Sequence, residues 1–454
     1  MILPEDIFVY KWNSLSLTNY LRILFNYLPL RSLTPLIFFL GAILGLSLSV
    51  QAGTRVNFPF GGHLFQYSPG SIKPNYLTPL QLDQSVKNFY NLWKSSYLFQ
   101  GCGKGRYYVW PGDTPGGDKD PNSISISEGH AYGMMITALM AGYDPNAKVY
   151  FDGLFHFYKD HPADSSTYLM AWNQVKGCKN SKLSDGSASA TDGDLDIAYS
   201  LILADRQWGS AGSINYLQES KGMIRAIGKI ELNQKTLTTF LGDGKFTLDS
   251  SPEFYFSSRS SDFMPDHFRA FRKVTGDSIW SGVVDKIYSI FSSIRTNFSP
   301  ETGLLPDFIV NTNFKNPSPA TPDFLESKYD GEYNYNACRV PLRIGIDYLV
   351  SSEPHALEAL RKINSWIKLK ANSKPENIVD GYKLDGSISQ GATGTALAFL
   401  TPFAVSATID SSNQIWLNGL WREMMATPFE LSDYYGNTIK LLSMIVVSQN
   451  WWNP

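Results

Sequence analysis

ATDGDLDIAYSLILADRQW, residues 190–208, decides the architecture. Leu195, Ala198, Leu201 and Ile202 recur at three- and four-residue spacing, which predicts an amphipathic helix over 192–208. Three aspartates open it, Asp192, Asp194 and Asp196. Acids in a first helical turn are favoured by the macrodipole, and that alone accounts for at least one of them. Asp192 and Asp196 share a face at i,i+4, whereas Asp194 points elsewhere. DGDLD also looks like the start of a calcium loop, but such a loop ends on a glutamate at its twelfth position. Counted from Asp192 that position is Leu203, so a calcium loop is rejected.

Outward from this helix the same periodicity recurs on both sides. Helices are expected over 80–97, 128–141, 215–230, 265–274, 278–296, 339–350, 354–370, 392–405, 414–424 and 432–447. The connections are rich in Gly, Pro, Asn and Ser. SISIS before Glu128 and KFTL around Phe246 are the only strand-like runs. Eleven helices without a fixed repeat period predict one all-α domain, with helix pairs closing into a barrel and loops at one end left to form a cleft. The stretch from Gly53 to about Leu77 reads as an extended lead-in.

Composition narrows the partners. Net charge is -2, without a basic stripe or an acidic tail, so nucleic acid is not expected. Aromatic residues reach 14%, with 25 Tyr and 11 Trp; a large aromatic core takes some, and a cleft lined by flat amphipathic rings would take the rest. Residues 36–50, LIFFLGAILGLSLSV, form an apolar run preceded by Arg22 and Arg31 and followed by Gln51-Ala52-Gly53. That predicts a signal peptide over 1–52, or alternatively an N-terminal membrane anchor, with a catalytic domain over 53–454 on the extracytoplasmic side. Of three cysteines, Cys102 and Cys178 are the expected disulfide pair and Cys338 is left free. No Cys/His spacing suggests zinc.

Glu128, in SISEGHAYGMMITALMAG, stands on the first turn of an apolar helix, where surface charge is out of place. The macrodipole explains it in part. Desolvation among Tyr132, Met134 and Met135 would raise its pKa toward that of a general acid. His130, two residues on, reads as a packed or hydrogen-bonded histidine.

SEGHAYGMM and ATDGDLDIAYSLILADRQW resemble the two signature segments of glycoside hydrolase family 8, and the likeness continues through RSSDFMPDHFRAF, YNACRVPLRIGIDYL and DYYGNTIKLLS. The resemblance implies an (α/α)6 barrel and an inverting endo-hydrolase of a β-1,4-type polysaccharide, with neither metal nor cofactor, working as a monomer with no protein partner. It makes Glu128 the general acid and Asp192 the carboxylate that holds the sugar and helps place the water. Trp172 resembles a sugar-stacking tryptophan, Arg339 an arginine that pairs with Asp192 or with the base, and Tyr335 and Tyr434 cleft-lining residues. The usual base of the family is an aspartate in Tyr-Asp-Ala-x-Arg, but here the run is Tyr335-Asn336-Ala337-Cys338-Arg339. A carboxamide cannot take water's proton as a carboxylate does. The sequence resembles the branch, including chitosanases and lichenases, whose base is a loop glutamate in a Phe-Leu-Glu segment. That makes Glu326 the expected base, with Glu332 and then Asp330 behind it. Near-neutral charge favours a β-glucan such as lichenan or cellulose over cationic chitosan. The alternative function is a carbohydrate-binding protein that has lost catalysis along with the aspartate.

Overall fold

A computed structural model describes residues 55–112, 120–183, 185–243 and 251–454. The signal peptide or anchor expected over 1–52 and the KFTL run lie outside the described residues. Among those described, no helix is long and apolar enough to cross a membrane.

Among the described residues twelve long helices carry the fold: α1 (Pro79–Tyr97), α2 (Ser127–Leu139), α3 (Ala147–Asp160), α4 (Thr191–Trp208), α5 (Tyr216–Ile230), α6 (Pro265–Thr275), α7 (Ile279–Asn297), α8 (Val340–Ser351), α9 (Pro354–Lys370), α10 (Leu397–Ala407), α11 (Gln414–Ala426) and α12 (Tyr434–Val447). The even-numbered helices pack in a closed ring, α2 on α4, α4 on α6, and so on round to α12 on α2. Each odd-numbered helix packs outside its even neighbours. This is the expected (α/α)6 barrel. The ring explains the sequence pattern. Inner helices meet protein on every side, so all of α10 and all of α2 except Glu128 are buried. Outer helices such as α5 bury one face only.

The helix absent from the sequence reading is α3, AKVYFDGLFHFYKD. Its buried stripe, Phe151, Leu154, Phe155 and Tyr158, has helical spacing, but Gly153 and the aromatic content lower its propensity. Gly153 is needed for packing, because a Cβ there would sit 2.3 Å from the Tyr107 ring. Helix α10 begins five residues later than expected. Asp380 takes the backbone N–H groups of Thr393 and Gly394 at 2.6 and 3.1 Å, which keeps that stretch in a loop. SISI forms a strand, Ser123–Ile126, against Asn173–Val175. It is not the only strand. Further pieces of two to five residues occur, among them Ser258–Arg259 against Phe308–Val310, too short to show alternation in sequence. The lead-in is extended and bound to the chain's other end: Phe58 stacks on Trp452 at 4.3 Å, and Tyr67 Oη donates to the Val446 carbonyl at 3.0 Å. Cys102 and Cys178 are joined and Cys338 is a buried free thiol, as expected.

Candidate active site

Alternating inner and outer helices place the N-termini of the inner ring at one end of the barrel. Glu128 is the second residue of α2, Asp192 the second of α4, Arg339 immediately precedes α8, and Tyr434 is the first residue of α12. Two glycines let these ends converge. A Cβ on Gly193 would lie 2.6 Å from Ser127 Oγ, and one on Gly129 would lie 2.3 Å from Tyr434 Oη. The positive ends of several helix dipoles therefore face one spot, where they favour carboxylates.

Arg339 is the centre of that spot. Its Nη1 donates to Glu128 Oε2 at 2.6 Å, to Asp192 Oδ2 at 2.9 Å and to Tyr132 Oη at 3.2 Å. Its Nη2 donates to Asn336 Oδ1 at 2.8 Å. The two acids respond differently to the shared cation. Burial pushes Glu128 up to about 7, against the pull of Arg339 and with the added repulsion of Asp192. For Asp192 burial also works upward, but Arg339 and then Arg259 overcome it and hold the carboxyl below its usual range. One acid keeps its proton near neutrality while its neighbour stays ionised, the division of labour that acid catalysis requires.

Asn336 links this centre to a third acid. Its Nδ2 donates to Glu326 Oε2 at 2.7 Å, and Arg259 Nη2 holds Glu326 Oε1 at 2.6 Å. Arg339 thus pairs with Glu128 and Asp192, and meets Glu326 only through the Asn336 carboxamide. The three candidate bases of the loop separate clearly. Glu326 is 41% exposed and faces two donors. Asp330 is buried, and its carboxylate accepts the backbone N–H groups of Leu325, Glu326 and Ser327 at 2.7–2.9 Å, so it shapes the loop that carries Glu326. Glu332 accepts from Ser389 Oγ. Asp307 does for Asn336 what Asp330 does for Glu326: its Oδ1 accepts from the N–H groups of Asn334, Asn336 and Ala337 at 2.7–3.2 Å.

The aromatic candidates occupy distinct layers. Trp172 is half-buried; its carbonyl accepts from Ser127 N and its N–H donates to the Ala188 carbonyl, so it bridges the segments leading to Glu128 and Asp192. Tyr335 is 46% exposed, with its hydroxyl toward Asp380 at 3.3 Å. Tyr434 is buried beneath the site rather than lining its surface. Tyr435, which the sequence did not single out, lies 5.8 Å from the Arg339 guanidinium and donates to the Tyr335 carbonyl at 2.7 Å. His130 is fully buried, hydrogen-bonded to the Leu154 carbonyl and depressed to about 3 by burial, which makes it a packed, neutral histidine.

Below Asp192 the remaining helix-start acids are internal. Asp196 binds both Nη groups of Arg343 at 2.7 and 2.5 Å and faces His267 Nε2 at 2.8 Å; despite burial it is held at about 2 by Arg343. Asp192 with Asp196 thus oppose Arg339 with Arg343, one helical turn apart on each side. Asp194 points the other way, accepts from Met170 N at 2.9 Å and is paired with buried Glu231, itself pushed up to about 8. Among the described residues no group of three or more His, Cys, Asp or Glu could hold a metal ion.

A twelve-helix barrel with Glu128, Asp192 and Glu326 gathered at its mouth has the architecture of a polysaccharide hydrolase. Comparison with known proteins agrees. Residues 75–449 match glycosyl hydrolases family 8. A β-glucanase of Niallia circulans is 47% identical over 398 residues, covering 87% of this chain and 91% of the relative. An endoglucanase of Bacillus sp. (strain KSM-330) is 41% identical over 418 residues, covering 91% and 86%. The solved apo structure of a β-1,3-1,4-glucanase from Paenibacillus sp. X4 superposes with a TM-score of 0.80 at 47% identity, covering 88% of this chain and all of that one. The chain belongs to glycosyl hydrolases family 8, and it is a glycoside hydrolase.

Proposed function

We propose that the protein is a secreted, monomeric, inverting endo-β-glucanase acting on a mixed-linkage or β-1,4-glucan, with residues 53–454 as its catalytic domain. Glu128 donates its proton to the leaving glycosidic oxygen, and Arg339, 2.6 Å away, stabilises the carboxylate that remains. Glu326 takes a proton from the water that attacks the anomeric carbon from the opposite face. Asp192, kept ionised by Arg339, holds the sugar at the cleavage point, with Trp172 and Tyr335 offering flat faces to neighbouring sugars.

The observation that carries this reading is the series Glu128–Arg339–Asn336–Glu326. A guanidinium and a carboxamide stand between the two outer carboxyls, which fits the separation of roughly 6.5–9.5 Å that an inverting enzyme needs for its water. Two features favour a neutral glucan over chitosan. The relatives named above are glucanases, and the Asp192 and Glu326 carboxylates are each matched by an arginine, leaving no surplus negative charge for a glucosamine polymer. The apolar run 36–50 and the Cys102–Cys178 bond support export. Proton NMR of fresh lichenan digests tests the mechanism: the α-anomer of the new reducing end is expected first, and initial β-anomer rejects the assignment. Chitosan released faster than lichenan and carboxymethylcellulose would overturn the substrate reading.

A further inference from the structure

The proposed base does not stand alone in the cleft. Arg259 comes from the short strand Ser258–Arg259, which pairs with Phe308–Val310 in the wall of the barrel mouth. Its side chain is 12% exposed, its guanidinium lies 5.2 Å from the Phe308 ring centroid, and Nη2 reaches Glu326 Oε1 at 2.6 Å. The Phe308 strand is itself fixed to the Glu326 loop, because Phe308 N donates to the Asp330 carbonyl at 2.9 Å. Arginine and carboxylate are therefore anchored to one small sheet. The charges facing Arg259 are Glu326, Asp192 and Asp262, with Arg339 opposing.

We infer that Arg259 is a positioning residue for catalysis: its guanidinium fixes Glu326 in the orientation from which it activates water. The contact is one charge-assisted hydrogen bond, from Arg259 Nη2 to Glu326 Oε1. With Asn336 on Oε2 and Arg259 on Oε1, each carboxylate oxygen is held by one donor, and the side chain stays 41% exposed with acceptor capacity left for a water. Without the guanidinium, only the Asn336 contact restrains a 41% exposed glutamate on a loop, and its other oxygen is released to sample further rotamers. Nothing in this role involves the sugar, so binding is spared while turnover is lost.

The inference rests on Glu326 being the base, and the experiment separates the two. Arg259→Ala, Arg259→Lys, Glu326→Gln and the double variant Arg259→Ala/Glu326→Gln are assayed on lichenan, each with its thermal midpoint. Arg259→Ala is expected to lower kcat about 10²-fold, the scale of a misplaced catalytic group, with KM within about threefold of the wild type. Guanidinium chloride at tens of millimolar is expected to restore kcat of Arg259→Ala at least about fivefold and to leave the wild type unchanged; Arg259→Lys is expected between the two, since its ammonium keeps the charge on a more flexible stem. On the Glu326→Gln background Arg259→Ala is expected to add nothing. Near-wild-type kcat in Arg259→Ala, or a loss that guanidinium does not repair, overturns the inference while leaving Glu326 as base. Full activity of Glu326→Gln overturns the base assignment itself.

Discussion

Replacing Asn336 by aspartate tests the electrostatic reading of the site most directly. The carboxamide is two-sided here: Oδ1 accepts from Arg339 at 2.8 Å and Nδ2 donates to Glu326 at 2.7 Å. Aspartate keeps the first contact and turns the second into carboxylate against carboxylate. Two unit charges about 4 Å apart repel by about 4 kcal/mol at an effective dielectric constant near 20. Glu326 is 41% exposed, so solvent screening reduces this to about 2 kcal/mol. That corresponds to roughly 1.5 pH units, shared by the pair as a joint titration. The acidic limb of kcat/KM on lichenan is therefore expected to move up by roughly 1.5 units in Asn336→Asp, while the alkaline limb, set by Glu128, stays near 7. Asn336→Ala is the control: it removes the donor without adding charge, lowers kcat, and moves the acidic limb up by less than Asn336→Asp, because only one hydrogen bond to the carboxylate is lost. An acidic limb that stays put in Asn336→Asp refutes the idea that a neutral side chain is required between Arg339 and Glu326.

Two further outcomes follow from buried acids. Glu128 must be protonated to act, so kcat/KM is expected to fall about tenfold per pH unit above about 7, and Glu128→Gln to lose about 10²–10⁴-fold and the alkaline limb with it; a wild-type profile flat to pH 9 would contradict the role. Glu231, raised by burial from 4.5 to about 8, contributes stability that is complete below pH 4.5 and disappears as pH rises through 8. Glu231→Gln cannot ionise and is expected to melt higher than the wild type at pH 9 but not at pH 5, by calorimetry; equal midpoints at pH 9 would exclude the shared-proton pair with Asp194.

The helices were legible because inner and outer members of the barrel both carry apolar residues at helical spacing, and eleven of the twelve long helices were anticipated. What failed was composition. In α3 the core-facing positions are aromatic and interrupted by Gly153, which exists for the close approach of Tyr107, a residue forty-odd positions upstream. At α10 the expected helix started at 392, but the N–H groups of Thr393 and Gly394 are taken by Asp380, a tertiary contact that periodicity does not encode. The short strands failed because pieces of two to five residues are too short to show alternation, and some pair with distant strands, Ser258–Arg259 with Phe308–Val310 and Ser123–Ile126 with Asn173–Val175.

The site divides along the same line. Glu128 was legible because it sits at an inner-helix start, where a charge conflicts with an apolar context and so demands an explanation; Asp192 and Arg339 were singled out by the resemblance of their segments to family 8. The loop from Asp323 to Glu332 holds four acids in ten residues, and no local rule ranks them. Their roles are set by donors from elsewhere: backbone N–H groups for Asp330, Ser389 for Glu332, and for Glu326 an arginine 67 residues upstream. Arg259 gave no signal of its own, being a lone cation in a serine-rich run whose acid partner is distant in sequence. Yet the presence of Asn336 points to such a partner. A carboxamide at that position has one donor side free only if a carboxylate comes to meet it, and a carboxylate brought into a cleft already holding Asp192 needs a second cation. Arg339 is committed to Glu128 and Asp192, so the cation has to come from another element, and Arg259 supplies it.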